Sequence, residues 1–209
     1  ASNEPKWVGK AAKQLVKQQR PAIRCAALEL LLKTSGSKAT SEVLKALNDK
    51  DVQYRNTALA MAEDCAGNGI FKAVSNQIDR LSVPAQIDVV RWLGNNRQQN
   101  FVEVVLKKMM SSNDELSNAA IHAASQIGGP QALQGLMALL GGPKADQALQ
   151  ALKSFKGSIQ DEALKLLGNS NASVQAQALK LIVERRMYQA YDEVLRLTSS
   201  QNAVVKTAA

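Results

Sequence analysis

Asp88 and Trp92 stand four residues apart in the stretch IDVVRWLG, with Arg91 between them. An aromatic plane can stack on a ligand ring, and a guanidinium beside it can hold an anion. Trp92 also falls in the same repeat column as Met61, which the register places in the core, so packing is the favoured reading of these residues. The single histidine, His122, supplies neither a nucleophilic triad nor a metal cluster. Cys25 and Cys65 lack metal-ligand spacing and are too few for a disulfide framework. They read as two small buried apolar residues. GNNRQQ and IGGPQ read as turns rather than phosphate cradles, and the acids of AEDC and NDE as caps or solvated faces. No catalytic residue, metal or cofactor is expected from these patterns.

The basic residues make a stronger pattern. Lys6, Lys10, Lys13 and Lys17 follow steps of 4, 3 and 4, which places them on one helix face. Such a stripe attracts an acidic partner or is the solvated face of an exposed terminal helix. The formal charge of +8 is uneven: the first 50 residues carry ten Lys and Arg against four acids, and the remaining 159 residues add only +2. Nucleic-acid binding is therefore expected to be weak, without sequence preference and readily lost with salt.

The elements that position these residues follow from composition and period. The chain has 209 residues, 45% of them hydrophobic and only 4% aromatic, which favours close helix packing over a sheet core. A column of small apolar residues recurs at Ala27, Ala58, Val89, Ala120, Ala148, Ala178 and Ala208, and the next residue is apolar each time. Four residues earlier stand Ile23, Tyr54, Ala85, Leu116, Lys144, Val174 and Val204, so the pair of columns forms a core stripe that only Lys144 breaks. A second column follows about 20 residues on: Leu47, Ile78, Met109, Leu140, Leu167 and Leu197. Each unit of about 30 residues thus holds two amphipathic helices. Gly-rich and polar stretches divide them, Pro21, Pro84 and Pro143 lie near the starts of first helices, and Asp51, Asp114 and Asn171 stand where N-caps are needed. A helix pair of this size buries its stripe only by stacking on its neighbours.

DVQYRNTALAMAEDCAG (Asp51 to Gly67), NASVQAQALKLI and PAIRCAALELL resemble the first helix of HEAT repeats in their short bacterial form, and the resemblance extends over essentially the whole chain. The basic residue usual in that helix survives as Arg24 and Arg55, with Gln86 and Gln175 in its place elsewhere, and PKADQALQALKSFKGS is the most degenerate unit. The resemblance implies an all-α, right-handed α-α superhelix of about six helix pairs plus partial repeats at both ends. Residues 1–209 then form one repeat domain, expected to be a segment of a longer protein. HEAT arrays line their concave surface with second helices, where Lys45, Asn76, Lys107 and Lys165 hold equivalent positions, with Ala138 interrupting. Each lies about 150° around its helix from the apolar stripe.

The expected function is a non-catalytic scaffold that offers this surface, and the Lys6, Lys10, Lys13 and Lys17 stripe, to an acidic protein or another extended partner. HEAT-like alkylpurine DNA glycosylases provide the enzymatic alternative, which requires Trp92 and Asp88 to be exposed in a basic groove. A third reading is an accessory domain of a larger extracytoplasmic enzyme. No apolar run approaches the roughly 20 residues needed to span a bilayer, and the sequence specifies neither compartment nor oligomeric state.

Overall fold

A computed structural model describes residues 6–209. They are helical and contain no strand. A single helix, α1 (Lys6–Leu15), precedes six helix pairs. The pairs are α2 (Pro21–Thr34) with α3 (Ala39–Ala46); α4 (Val52–Ala60) and α5 (Ala62–Ala66) with α6 (Gly69–Ser75); and α7 (Val83–Asn95) with α8 (Val102–Met109). They continue with α9 (Asp114–Ile127) and α10 (Gly129–Ala138), α11 (Ala145–Lys153) and α12 (Gln160–Leu167), and α13 (Ala172–Glu184) and α14 (Tyr191–Leu197). A short helix, α15 (Ala203–Ala208), begins a seventh repeat. The chain divides into two compact units, one ending at Leu93 and one formed by Gly94–Ala209.

The core is the one expected from the repeat columns. Ala27, Ala58, Val89, Ala120, Ala148 and Ala178 are buried, as are the apolar residues that follow them. All six members of the second column, Leu47 to Leu197, are buried as well. The stripe fails at its ends: Ile23 and Val204 are exposed, and Ala208 is only half-buried. They belong to the first and last first-helices, where one flanking helix pair is incomplete and leaves them fewer neighbours.

Local signals are partly redistributed. Asp51 accepts hydrogen bonds from the Gln53 and Tyr54 amides, and Asn171 from the Ser173 amide, so both cap as expected. Asn113 rather than Asp114 caps α9, and Asp114 begins the helix. Asn202 caps α15. One turn recurs at these junctions: Asp49, Ser111, Asn169 and Ser200 each accept the amide two residues on, which belongs to the capping residue. The stretch from Asp51 to Gly67, expected as one helix, is broken at Met61, whose amide bonds back to Leu59 and Thr57 before α5 resumes. Pro21 opens α2 and Pro84 lies in the first turn of α7, where a missing N–H is harmless.

Candidate binding surface

One repeat position inside the stack carries hydrogen bonds between successive repeats. Three residues before the small-residue column stand Arg24, Arg55, Gln86, Ser117, Ala145 and Gln175. Arg24 Nε donates to the Val16 carbonyl just after α1, at 3.1 Å. Arg55 donates to the carbonyls of Asp49 and Lys50 after α3, at 2.9 and 3.0 Å. Gln86 donates to Leu81, Ser117 to Met109 and Gln175 to Leu167. Each donor thus satisfies a carbonyl left open at the end of the preceding second helix or in the segment that follows it, as at Leu81. The resemblance highlighted only the two arginines, yet a glutamine or serine does the same work. The signal was present in the sequence as a polar residue at one fixed place in an otherwise apolar stripe.

Arg55 and Asp88 form a buried ion pair across repeats two and three, Nε to Oδ2 at 2.6 Å. Trp92 is buried too, and its ring stacks on Phe71 with centroids 4.4 Å apart. The exposed Trp92 and Asp88 that a glycosylase-like site requires are therefore not available: the carboxylate is consumed by Arg55 and the indole by the core. Arg24 makes the more open counterpart of this pair, bonding Asp49 and lying 4.3 Å above the Tyr54 ring. Burial opposes ionisation of Asp49, but the hydrogen bonds from Arg24 and from the Asp51 amide prevail and hold the carboxyl below its usual range. Burial raises the Cys65 thiol, with Asp64 adding to the effect. Both cysteines are free thiols and half-buried, rather than fully buried. His122 is exposed. Among the described residues, no group of three His, Cys, Asp or Glu side chains could hold a metal ion.

The basic stripe is only partly helical. Lys10 and Lys13 are exposed on α1, Lys17 lies in the turn beyond it, and the Lys6 side chain lies outside the described residues. On the second helices Lys45, Asn76, Lys107 and Lys165 are all exposed, as the spacing predicts, and so is Ala138. Two of the lysines are not bare charges. Lys45 pairs with Glu42 at 3.1 Å and Lys165 with Glu162 at 2.7 Å. The hydrogen bond to Glu162 raises the Lys165 pKa. Asn76 and Lys107 complete the set with one neutral and one cationic side chain.

The exposed face is wider than this single column. The residues four and seven positions earlier are exposed in every repeat as well. Going back along the chain, repeat one presents Lys45, Ser41 and Lys38, and repeat two presents Asn76, Lys72 and Gly69. Repeat three presents Lys107, Glu103 and Asn100, and repeat four Ala138, Gln134 and Gln131. Repeat five presents Lys165, Asp161 and Ser158, and repeat six Leu195, Tyr191 and Tyr188. In the second unit an open cleft of about 320 Å³ adjoins this face, with Leu133, Phe155 and Ile159 in its wall and Lys156, Asp161 and Glu162 at its rim. Its charges are of mixed sign.

No protein-family model matches the sequence, and no curated protein matches it. Among solved structures the chain is similar to Kap121p, with a TM-score of 0.62 at 9% identity over 99% of this chain. A mutant of Kap121p gives the same TM-score at 10% identity over 100% of this chain. In both cases the chain spans 29% of the length of Kap121p. An engineered protein is similar at a TM-score of 0.45 and 15% identity, over 96% of this chain and 66% of the other. The likeness to Kap121p shows the fold: a HEAT-like array of helical repeats. No helix among the described residues is long and apolar enough to cross a membrane.

Proposed function

We propose that this chain is a non-catalytic binding module that holds an extended protein segment against the exposed face of its second helices. The observation that carries the reading is the column of three positions just described, solvent-exposed in all six repeats while the positions around it build the core. Helix packing asks nothing of these side chains, so their chemistry is free to serve a partner. These positions hold five lysines against two acids, which favours an acidic segment, chiefly by steering its approach.

Cross-linking the protein to its partners in cells, followed by mass spectrometry, tests the reading. Cross-links are expected at Lys45, Lys72, Lys107 and Lys165. Reversal of Lys45, Lys107 and Lys165 to Glu should slow association with the captured partner, most clearly at low salt, and leave the melting temperature within a few degrees. Cross-links confined to Lys180 and Lys206, on the first helices, would refute the proposal. So would sub-micromolar DNA affinity at physiological salt, since surface cations this sparse release few counterions.

A further inference from the structure

The exposed face changes chemistry in the sixth repeat. In repeats one to five its fifteen positions hold only polar, charged or small residues. In repeat six they hold Tyr188, Tyr191 and Leu195, which are 77%, 69% and 56% exposed. Two of the protein's three tyrosines lie here. Tyr191 and Leu195 sit four apart on α14 and Tyr188 precedes them in the turn, so the three follow one helical stripe. Incomplete stacking does not explain the exposure. In repeats one to five the following unit is present and leaves this face open, so a further unit packed on repeat six would not cover it either.

The charge beside the patch is also distinctive. Each turn between first and second helices contains a residue with positive φ. Glycine fills it as Gly36, Gly67, Gly128 and Gly157, and arginine as Arg97 and Arg186. Arg186, at φ 51, is exposed two residues before Tyr188 and makes no ion pair among the described residues. A side chain in the left-handed region costs stability that glycine would spare. Nearby Arg196 is closed onto Glu193 by two hydrogen bonds, which leaves Asp192 as the exposed carboxylate and Arg186 as the open cation.

We infer that Tyr188, Tyr191, Leu195 and Arg186 form the anchoring site of the binding face, taking an acidic protein segment that carries an aliphatic anchor. The inference rests on the binding role proposed above. Tyrosines and an arginine are the side chains that contribute most at protein interfaces: rigid rings exclude water over an apolar anchor, while a guanidinium takes a carboxylate in two parallel bonds. The unit that carries the patch, Gly94–Ala209, holds twelve Lys and Arg against nine acids, which complements an acidic occupant, whereas a second copy of this chain would bring like charge to the site.

The test uses the whole chain and an array of acidic synthetic peptides. Each peptide bears two leucines and is matched by a version with serine for leucine and a version with lysine for each acid. Fluorescence anisotropy gives affinity, and amide chemical shifts locate the bound peptide. Leucine-bearing acidic peptides should bind, with shifts centred on α14; the serine versions should bind about tenfold more weakly or less, and the basic versions not at all. The triple change Tyr188→Ser, Tyr191→Ser, Leu195→Ser should lower affinity by about tenfold or more while the fold persists, because all three side chains are exposed. Arg186→Gly should raise the melting temperature yet weaken binding and flatten its salt dependence. Peptides that bind at the Lys45 or Lys107 positions and ignore the triple change overturn the inference and leave the binding role standing. Failure of every acidic peptide also overturns it, and the cross-linking experiment then decides the role independently. A dimer in light scattering that the triple change dissolves would assign the patch to a second copy instead.

Discussion

Repeats two and five use the same position in opposite ways. In repeat two, Arg55 reaches back to the carbonyls of Asp49 and Lys50 and forward to Asp88, binding three successive repeats through one buried side chain. In repeat five the position is Ala145, whose side chain donates nothing, and the repeat is tied to its neighbours from elsewhere. Lys144 pairs with Asp114 at 3.1 Å, Lys153 with Glu184 at 2.8 Å, and Arg185 of repeat six reaches back to the Lys153 and Phe155 carbonyls. Packing of the Ala and Leu columns is common to both repeats; a buried polar donor at this position is not. The contrast shows that a repeat can dispense with the buried donor where ion pairs and Arg185 tie it from elsewhere. The buried polar column adds coupling whose loss would be costly wherever a charge was left behind.

Removing the cation in repeat two should break the comparison hardest. Arg55→Leu leaves the Asp88 carboxylate buried without a partner and should cost about 3–5 kcal/mol in urea unfolding, whereas the double change Arg55→Leu, Asp88→Leu should restore most of that stability. If the single change proved as mild as the double, Asp88 would not depend on Arg55.

The next effect probes what the two regions share. Leu59 and Leu179 occupy one column in different units, 3% and 0% exposed. Truncation of either to Ala should cost about 2–5 kcal/mol. Losses below half a kcal/mol at both sites, measured by thermal or urea unfolding, would dissolve the repeat register itself.

Smaller again is the neutral version of the coupling. Gln175→Ala should lose about 0.5–1.5 kcal/mol by stranding the Leu167 carbonyl, with no charge left behind. The reverse change, Ala145→Gln, offers a donor to the one interior repeat that lacks it, and any gain in unfolding free energy would show that the position alone defines the role.

The smallest change should be a gain. Arg97→Gly relieves a left-handed arginine at φ 49 and should stabilise by a few tenths to about 1 kcal/mol. The equivalent Gly128 permits no exchange in the other direction, because a Cβ there would lie 2.8 Å from the Lys156 carbonyl oxygen. A loss of melting temperature in Arg97→Gly would mean that the arginine side chain holds its turn in place.

What the sequence determined by itself is everything that depends on spacing along the chain. The small-residue column and the leucine-rich column located the core. Asp51 and Asn171 marked helix starts, and the unit of about 30 residues set the number of helix pairs, because a 3.6-residue period places apolar side chains on one face whatever lies opposite. What only the tertiary structure decided is where each polar or aromatic side chain ends up, since that depends on a neighbour one repeat away. Asp88 and Trp92 had the spacing of a nucleotide site, and Arg55 and Phe71, 33 and 21 residues earlier, drew them into the core instead. Gln86 and Gln175 looked like departures from an arginine pattern until the open carbonyls before them gave them one task, which Ser117 shares. The offset from the apolar stripe predicted that Lys45 and its equivalents meet solvent, but the structure was needed to show that Tyr188, Tyr191 and Leu195 continue that face in repeat six, because burial is a property of what packs against a helix and not of the helix alone.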